Sequence, residues 1–528
     1  MKKLFLIIVL AASLKVAAQS EQKSIELPDF VITGRQSVEV LSAQKSKPEL
    51  ISTLSKEFFV PQYSPEELPL LIESDLKSVH PSIIAEDFFD GNVNIGVGSQ
   101  TFPAGEFNLA KSFGNYLVKA SAWGKNVKQY IDNAGFNNSG VSLDNEFFIG
   151  TKSNFLPGAK IKLSGAYSRE SSKFFGSLTP SFERKTDRAS AILSLADNYS
   201  QRFNFGIDLK GNFFSMEEND LTEKKLGLKP FAAVKFGKFE IGAEGFYQKQ
   251  ILENNLSGVD DYDFYFVNPY LKVSPTKDVI LLGGVTYASN SNNTFFSPFG
   301  SIQYLVDNGI VLQADYKPAV NNYTVSDFTA KNYYSANGLI DNILNEVNVD
   351  LKVSFRFDYE KYFSFMLWSE YKKEDGYLYF EDASQKGIFN VLRADDVKTT
   401  SLGINFLMNN NGFGYFMMNA GYNKVTDSKD KLIPYNPKFS ADITYGYDFD
   451  FGAGAKAVYK FAQDSYANLL NTYKLNSYHN LSLGVYYKLF EAITLSADFQ
   501  NILNRSNFAL RYYEEKPFDI IVGVEYRW

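Results

Sequence analysis

The sequence predicts an all-β chain. It reads as a transmembrane antiparallel up-and-down β-barrel of about 22 strands, preceded by a short, mostly irregular periplasmic segment. Three observations carry this. From Gly91 onward, segments of about ten residues alternate apolar and polar side chains. Short turns alternate with longer polar connections over the same stretch. The composition is aromatic yet polar, with Phe 47, Tyr 34 and Trp 3 making 16% aromatic beside 21% charged residues.

A mean hydropathy of -0.21 is too polar for a helical membrane protein. The aromatic content is too high for an ordinary soluble chain. Both fit a barrel that is apolar outside, polar inside and girdled by aromatics. There are no cysteines, which excludes disulfides, thiolate metal sites and a lipidated amino-terminal cysteine. His80 and His479 are the only histidines, leaving little for metal binding or general base chemistry. The formal charge of -7, with no basic patch studded by aromatics, argues against nucleic acid.

In chain order, residues 1–18 read as a secretory signal. Lys2 and Lys3 form its charged region, Leu4 to Leu14 its apolar region, and Val16-Ala17-Ala18 a small-residue cleavage site. No later apolar run is long enough for a membrane-spanning helix. Residues 19–90 read as a proline-rich periplasmic segment. Six of the 17 prolines fall in 21–90, and proline disfavours central strands. Within it, Leu27-Pro28-Asp29-Phe30-Val31-Ile32-Thr33-Gly34 is a β-prone run suited to pairing with the edge of another sheet.

Residues 91–528 read as the barrel. Phe203, Phe205, Ile207 and Leu209 alternate with Asn204, Gly206, Asp208 and Lys210. Leu351, Val353, Phe355 and Phe357 alternate with Lys352, Ser354, Arg356 and Asp358. Successive strand side chains point to opposite faces, so every charge of such a segment faces one way. A charge on the lipid face at the bilayer midplane costs about 2–4 kcal/mol, which makes that segregation informative. Short turns are expected at Gly114-Asn115, Leu156-Pro157-Gly158, Ser200-Gln201, Gly237-Lys238, Pro275-Thr276-Lys277, Asn308-Gly309, Glu360-Lys361, Asn410-Asn411-Gly412, Asp450-Phe451-Gly452 and Phe490-Glu491. Longer connections at 171–187, 320–343, 375–396 and 465–477 are expected outside the cell, with Tyr323, Phe328, Tyr333 and Tyr334 exposed for ligand stacking. Inward charges of both signs, among them Glu240, Glu244, Lys352, Arg356, Asp358 and Asp498, predict a wet lumen.

The final strand runs from Phe518 to Trp528, with Phe518, Ile520, Val522, Val524, Tyr526 and Trp528 on one face. Together with Asp498-Phe499-Gln500-Asn501-Ile502-Leu503-Asn504 and Tyr512-Tyr513, it resembles the last hairpin of TonB-dependent receptors. Leu27 to Gly34 is similar to the short box that these receptors offer to the energy-transducing TonB protein. The resemblance implies a barrel in the outer membrane of a Gram-negative cell, surrounded by outer-membrane lipid. Val522, Val524, Tyr526 and Trp528 would then form the closing strand and the signal read by the barrel assembly machinery. Leu27, Phe30, Val31, Ile32 and Thr33 would bind TonB or a separate partner. Residues 19–90 are too short for the family's plug domain, so the plug is expected to be missing or strongly reduced.

The function expected is transport: uptake of a nutrient across the outer membrane through a wide barrel. The alternative is a plugless barrel acting as scaffold or docking component for a surface or periplasmic partner. Neither catalytic residues, metal ligands nor a cofactor are expected. No phosphate loop or metal-ligand spacing is present in the sequence, and wall charges account for the inward carboxylates.

Overall fold

A computed structural model describes residues 90–528 apart from 198–201, 255–260, 291–292, 308, 337–341, 360–361 and 411. The signal segment 1–18, nearly all of 19–90, and with it Leu27, Phe30, Val31, Ile32 and Thr33 lie outside the described residues.

The barrel follows from the alternation. Each amphipathic segment hydrogen-bonds antiparallel to its sequence neighbour, and the sheet closes on itself. The first strand, Gly91–Gly98, pairs with the last, Asp519–Arg527, in the register Asn92↔Arg527 to Gly98↔Ile521. The main sheet holds 23 strand segments. Two of these, Ile310–Tyr316 and Ala319–Tyr323, are halves of one stave and both pair with Ile343–Tyr359. The break falls at Lys317-Pro318, where proline has no N–H to give to the ladder. The closed barrel therefore has 22 staves. Closure leaves no unpaired edge, which is what a bilayer requires of a sheet.

The expected turns at Gly114-Asn115, Leu156-Pro157-Gly158, Gly237-Lys238, Asp450-Phe451-Gly452 and Phe490-Glu491 fall at junctions between successive staves, while Ser200-Gln201, Asn308, Glu360-Lys361 and Asn411 lie outside the described residues. The strand Asp261–Thr276 runs slightly further than its turn signal, taking in Pro275 and Thr276 through a bulge after Val273. Gly114 and Gly237 each adopt φ of 60°, the left-handed turn conformation that glycine enters without penalty. Both ends of the barrel sequence share the short-turn end, and the long connections share the other. No helix among the described residues is long and apolar enough to cross a membrane.

The faces segregate as the pattern requires. Val522, Val524 and Tyr526 are 53%, 48% and 50% exposed on the outer face, while Asp519 and Ile521 are buried inside. Toward the lumen, aromatic side chains lie across glycines directly opposite on the neighbouring strand. The pairs are Trp123 on Gly140, Phe231 on Gly206, Tyr270 on Gly242, Phe299 on Gly284, Trp368 on Gly403, Tyr415 on Gly446 and Tyr486 on Gly454. A Cβ on Gly403 would sit 2.0 Å from the Trp368 ring, and one on Gly206 2.2 Å from Phe231. The ring occupies the space where the side chain is missing, a covering of strand glycine that pins register. Polar tips are tied to the same wall. Trp123 Nε1 donates to Asn138 at 3.1 Å, Trp368 Nε1 to Asn405 at 3.0 Å, and Tyr270 O–H to Glu240 at 3.2 Å.

Candidate functional site: the loop canopy at the barrel mouth

Sequence alone leaves the long connections as polar arches with exposed aromatics. The structure corrects this. Phe328, Tyr333 and Tyr334 are buried, at 1%, 9% and 7% exposure. They join Phe174, Phe389, Tyr435, Ala467, Leu510 and Tyr513 in loop clusters that resemble a small domain core. These residues come from connections 174–182, 324–342, 376–396, 427–438, 463–477 and 501–518. Connection 174–182 leaves the wall roughly opposite 376–396 and 427–438 in the closed strand order. The loops therefore meet across the mouth rather than standing along its rim.

Aromatic packing holds the centre. The Tyr334 and Tyr513 rings stack with centroids 3.6 Å apart, and Phe174 meets Tyr334 edge-on at 5.4 Å. Phe389 meets Tyr435 edge-on at 5.8 Å. Such pairs contribute about 0.5–1.5 kcal/mol each beyond the area they bury. Hydrogen bonds to backbone carbonyls tie loop to loop. Phe389 N–H donates to the Tyr334 carbonyl at 3.0 Å, Ala336 N–H to the Phe389 carbonyl at 2.7 Å, and Tyr513 O–H to the Gly387 carbonyl at 2.5 Å.

A buried ion pair fixes the canopy to the wall. Arg184, on the strand Glu183–Asp197, is 1% exposed. Its Nε donates to Glu218 at 2.6 Å, Nη2 donates to the Ser335 carbonyl at 2.9 Å, and Nη1 donates to the Tyr333 carbonyl. The guanidinium lies 4.8 Å from the centre of the Phe174 ring. Tyr333 O–H returns a bond to the Arg184 carbonyl at 2.6 Å.

The connection after Tyr323 descends to the inner wall as helix α1, Val325–Lys331. Asp327 accepts the Thr324 N–H at 2.8 Å, satisfying a group that the first helical turn leaves free. Val325 packs on Phe214, Met216, Leu221 and Leu252. Beside them sits Glu223, 1% exposed. It accepts Ser326 Oγ at 2.5 Å, Thr324 Oγ1 at 3.2 Å and Gln250 Nε2 at 3.1 Å. Lys225 Nζ stands 3.2 Å from Glu223 and donates to Ser326 Oγ at 2.8 Å and Thr324 Oγ1 at 2.9 Å. The buried carboxylate is thus neutralised and hydrogen-bonded, as burial demands.

Burial shifts several loop groups, Tyr334 and Glu515 among them. It pushes the Tyr334 phenol up to about 12. It also lifts the Glu515 carboxyl to about 8, although Tyr478 O–H donates to it at 2.9 Å.

The other candidate residues have structural surroundings. His479 contacts Tyr459 O–H through Nδ1 at 2.8 Å and Ser477 Oγ through Nε2 at 3.1 Å. Glu240 accepts from Tyr270, Glu244 accepts from Asn268 at 2.9 Å, and Asp358 pairs with Arg356 at 2.6 Å. No cluster of His, Cys, Asp or Glu among the described residues could hold a metal ion. The candidate site is this packed set of loops, set over a barrel with a polar inner wall. Val522, Val524, Tyr526 and Trp528 lie together on the lipid face of the closing strand, away from the mouth. The canopy contacts were missed from sequence because no local pattern reports them.

No protein-family model matches the chain, and no curated protein matches it in sequence. Solved structures match its fold. The FrpB iron transporter from Neisseria meningitidis superposes with a TM-score of 0.64 at 11% identity, over 84% of this chain and 82% of that one. BauA, the ferric preacinetobactin receptor from Acinetobacter baumannii, gives 0.62 at 11% identity, over 84% and 80%. The ferric-catecholate import receptor Fiu from K12 E. coli, in its closed form, gives 0.62 at 9% identity, over 84% and 82%. These are TonB-dependent receptors of the outer membrane, and the described chain has the fold of their 22-strand barrel.

Proposed function

We propose that this chain is an outer-membrane transport protein that takes up a nutrient through its barrel. The observation that carries this is the barrel itself. A ring of 22 staves is too wide for its own side chains to fill. Its inner wall is polar and charged, with Lys372 pairing with Glu370 at 2.9 Å and Lys160 with Glu146 at 2.8 Å. A wall of that kind suits a hydrated path. The names of the matched structures make ferric chelates the first substrates to try. Coupling to TonB would run through Leu27, Phe30, Val31, Ile32 and Thr33.

The test is accumulation of labelled ferric chelates by iron-starved cells. Uptake falls to background when the protein is absent, and again when residues 25–34 are deleted from an otherwise assembled barrel. Unchanged uptake of ferric chelates and other nutrients in cells lacking the protein overturns transport. Loss only in cells lacking the whole protein overturns the TonB coupling alone. A second function, scaffolding for a surface partner, is favoured by one observation: the canopy has its own buried aromatic cluster around Phe174, Phe389 and Tyr513. A stoichiometric partner retained through purification, with no uptake, would establish it.

A further inference from the structure

In an up-and-down barrel each pair of neighbouring staves is joined by a turn or a loop, except the pair at the seam. Gly91–Gly98 and Asp519–Arg527 meet there without a covalent link. They are short, at 8 and 9 residues against 14 for Lys160–Lys173, and Gly96 faces Gly523 in their register. Glycine in a strand brings no side chain to pack. The seam is therefore where a fastening from outside the ladder counts most.

Connection 501–518 crosses this seam. On one side, Asn507 Nδ2 donates to the His479 carbonyl at 2.8 Å, and Asn507 Oδ1 accepts the His479 N–H at 3.1 Å, on the strand Tyr478–Phe490. On the other side, Tyr130 O–H donates to the Glu514 carbonyl at 2.9 Å, from the connection between Tyr116–Val127 and Phe136–Phe148. Both seam strands lie between these anchors in the strand order. Lys516 reaches down to the wall. Its Nζ donates to Gln500 Oε1 at 2.8 Å, Thr101 Oγ1 at 3.0 Å and Asp519 Oδ2 at 2.6 Å. Asp519 opens the last strand and is 0% exposed. It also accepts Ser99 Oγ at 2.8 Å, the Gln100 N–H at 2.8 Å and Thr101 Oγ1 at 2.7 Å. Those three donors belong to the first hairpin, whereas the fourth belongs to the connection. A buried carboxylate is tolerated only with its partners in place. Asp519 is fully partnered only when the last strand has met the first hairpin and the connection has folded down over both.

We propose that connection 501–518 is a strap that fastens the barrel's seam, with Lys516 and Asp519 as its buckle. Closing the ring and packing this connection are then one event, because both complete the same carboxylate's set of donors. The far end of the strap is Tyr513, stacked on Tyr334 and bonded to the Gly387 carbonyl. The loops over the mouth thereby act on the seam through the strap. The inference is independent of what the barrel carries.

The experiment is hydrogen–deuterium exchange of the full chain refolded in detergent, read by mass spectrometry. Three regions are followed: the two seam strands, connection 501–518, and the strand Lys160–Lys173 as an internal standard. Tyr513→Ala releases the strap from the other loops without touching the seam. It should speed exchange in the connection and, by about tenfold, in both seam strands, a coupling usual for groups that share one buried network. The strand Lys160–Lys173 should exchange as in the wild type. In a chain carrying Lys516→Met with Asp519→Asn, which removes both charges together, adding Tyr513→Ala should leave the seam unchanged. Seam exchange that ignores Tyr513→Ala while the buckle is present overturns the strap. So does an equal acceleration in Lys160–Lys173, or a response of the same size without the buckle. A second measurement needs no change in the strap. Val97→Cys and Val522→Cys lie opposite each other across the seam on the lipid face, in a chain with no other cysteine. Directly opposed strand residues are close enough for a disulfide. Oxidation should slow exchange in connection 501–518 several-fold, and reductant should restore it. Equal exchange in the oxidised and reduced chains overturns the coupling.

Discussion

Glu515 shows how one buried proton can set the strength of a loop contact. One carboxyl oxygen is buried with no partner, and the other accepts from Tyr478. Lys460 draws the carboxyl partly back down, and Tyr130 donates to the neighbouring Glu514 carbonyl at 2.9 Å. Burial wins and raises the group from 4.5 to about 8. The docked loop therefore holds a proton that the released loop would shed between those values. Its stabilising contribution is full below the ordinary carboxylate range and is lost as pH rises through about 8. Protease protection of loop 501–518 should fall as pH is raised through this window, and Glu515→Gln should flatten the dependence. A wild-type profile as flat as that of the variant would show that the group does not titrate there. Arg184 makes the opposite case, a charge that must stay paired. Arg184→Met leaves Glu218 buried and uncompensated, a loss of about 3–5 kcal/mol that should loosen the canopy while the barrel's heat-modifiable migration persists. Limited proteolysis separates the two, since cuts confined to the loops are expected.

At the scale of single strands, much was legible. Alternation assigned a face to every residue of 203–210 and 351–358, and turn residues such as Gly114-Asn115 and Gly237-Lys238 marked junctions at the short-turn end. The partners of the lumen glycines were not legible, because register pairs residues that the sequence does not align. Gly403 opposes Trp368 only once the strands Phe363–Asp375 and Val397–Asn410 are paired around a long intervening loop. Gly403→Val should drive a branched side chain into that ring, and the folded fraction after refolding into detergent should drop sharply. Val at exposed Gly283, where an added Cβ meets nothing within 4 Å, should refold as the wild type does. Equal losses in both would mean that generic strand effects, not the aromatic seat, are being measured. The closing strand gives a further test. Trp528 exchanges backbone bonds with Gly91 at 3.2 and 3.1 Å, and its ring lies 2.5 Å from where a Gly91 Cβ would be. Removing Trp528 should lower the yield of assembled barrel in cells by more than it lowers refolding in detergent, if the terminal aromatic acts as an assembly signal.

Across the whole molecule, the canopy is what sequence reasoning could not see. The contacts that build it join residues far apart in the chain: Arg184 with Tyr333 at a separation of 149, Tyr513 with Gly387 at 126, and Ser172 with Tyr334 at 162. Each loop, taken alone, has the polar composition of an exposed arch, so its tyrosines and phenylalanines read as surface residues. Only the closed ring of strands brings opposite loops within reach and lets the aromatics bury one another. The central claim is that this packing closes a wide polar bore to the outside. Single cysteines in the cysteine-free chain test it directly, with a membrane-impermeant maleimide added to intact cells. Ser482→Cys lies on the lumen face of the strand Tyr478–Phe490, and Leu178→Cys stands 76% exposed on the canopy. Leu178→Cys should label rapidly while Ser482→Cys stays unlabelled; labelling of both at similar rates in the otherwise wild-type chain would contradict a closed mouth.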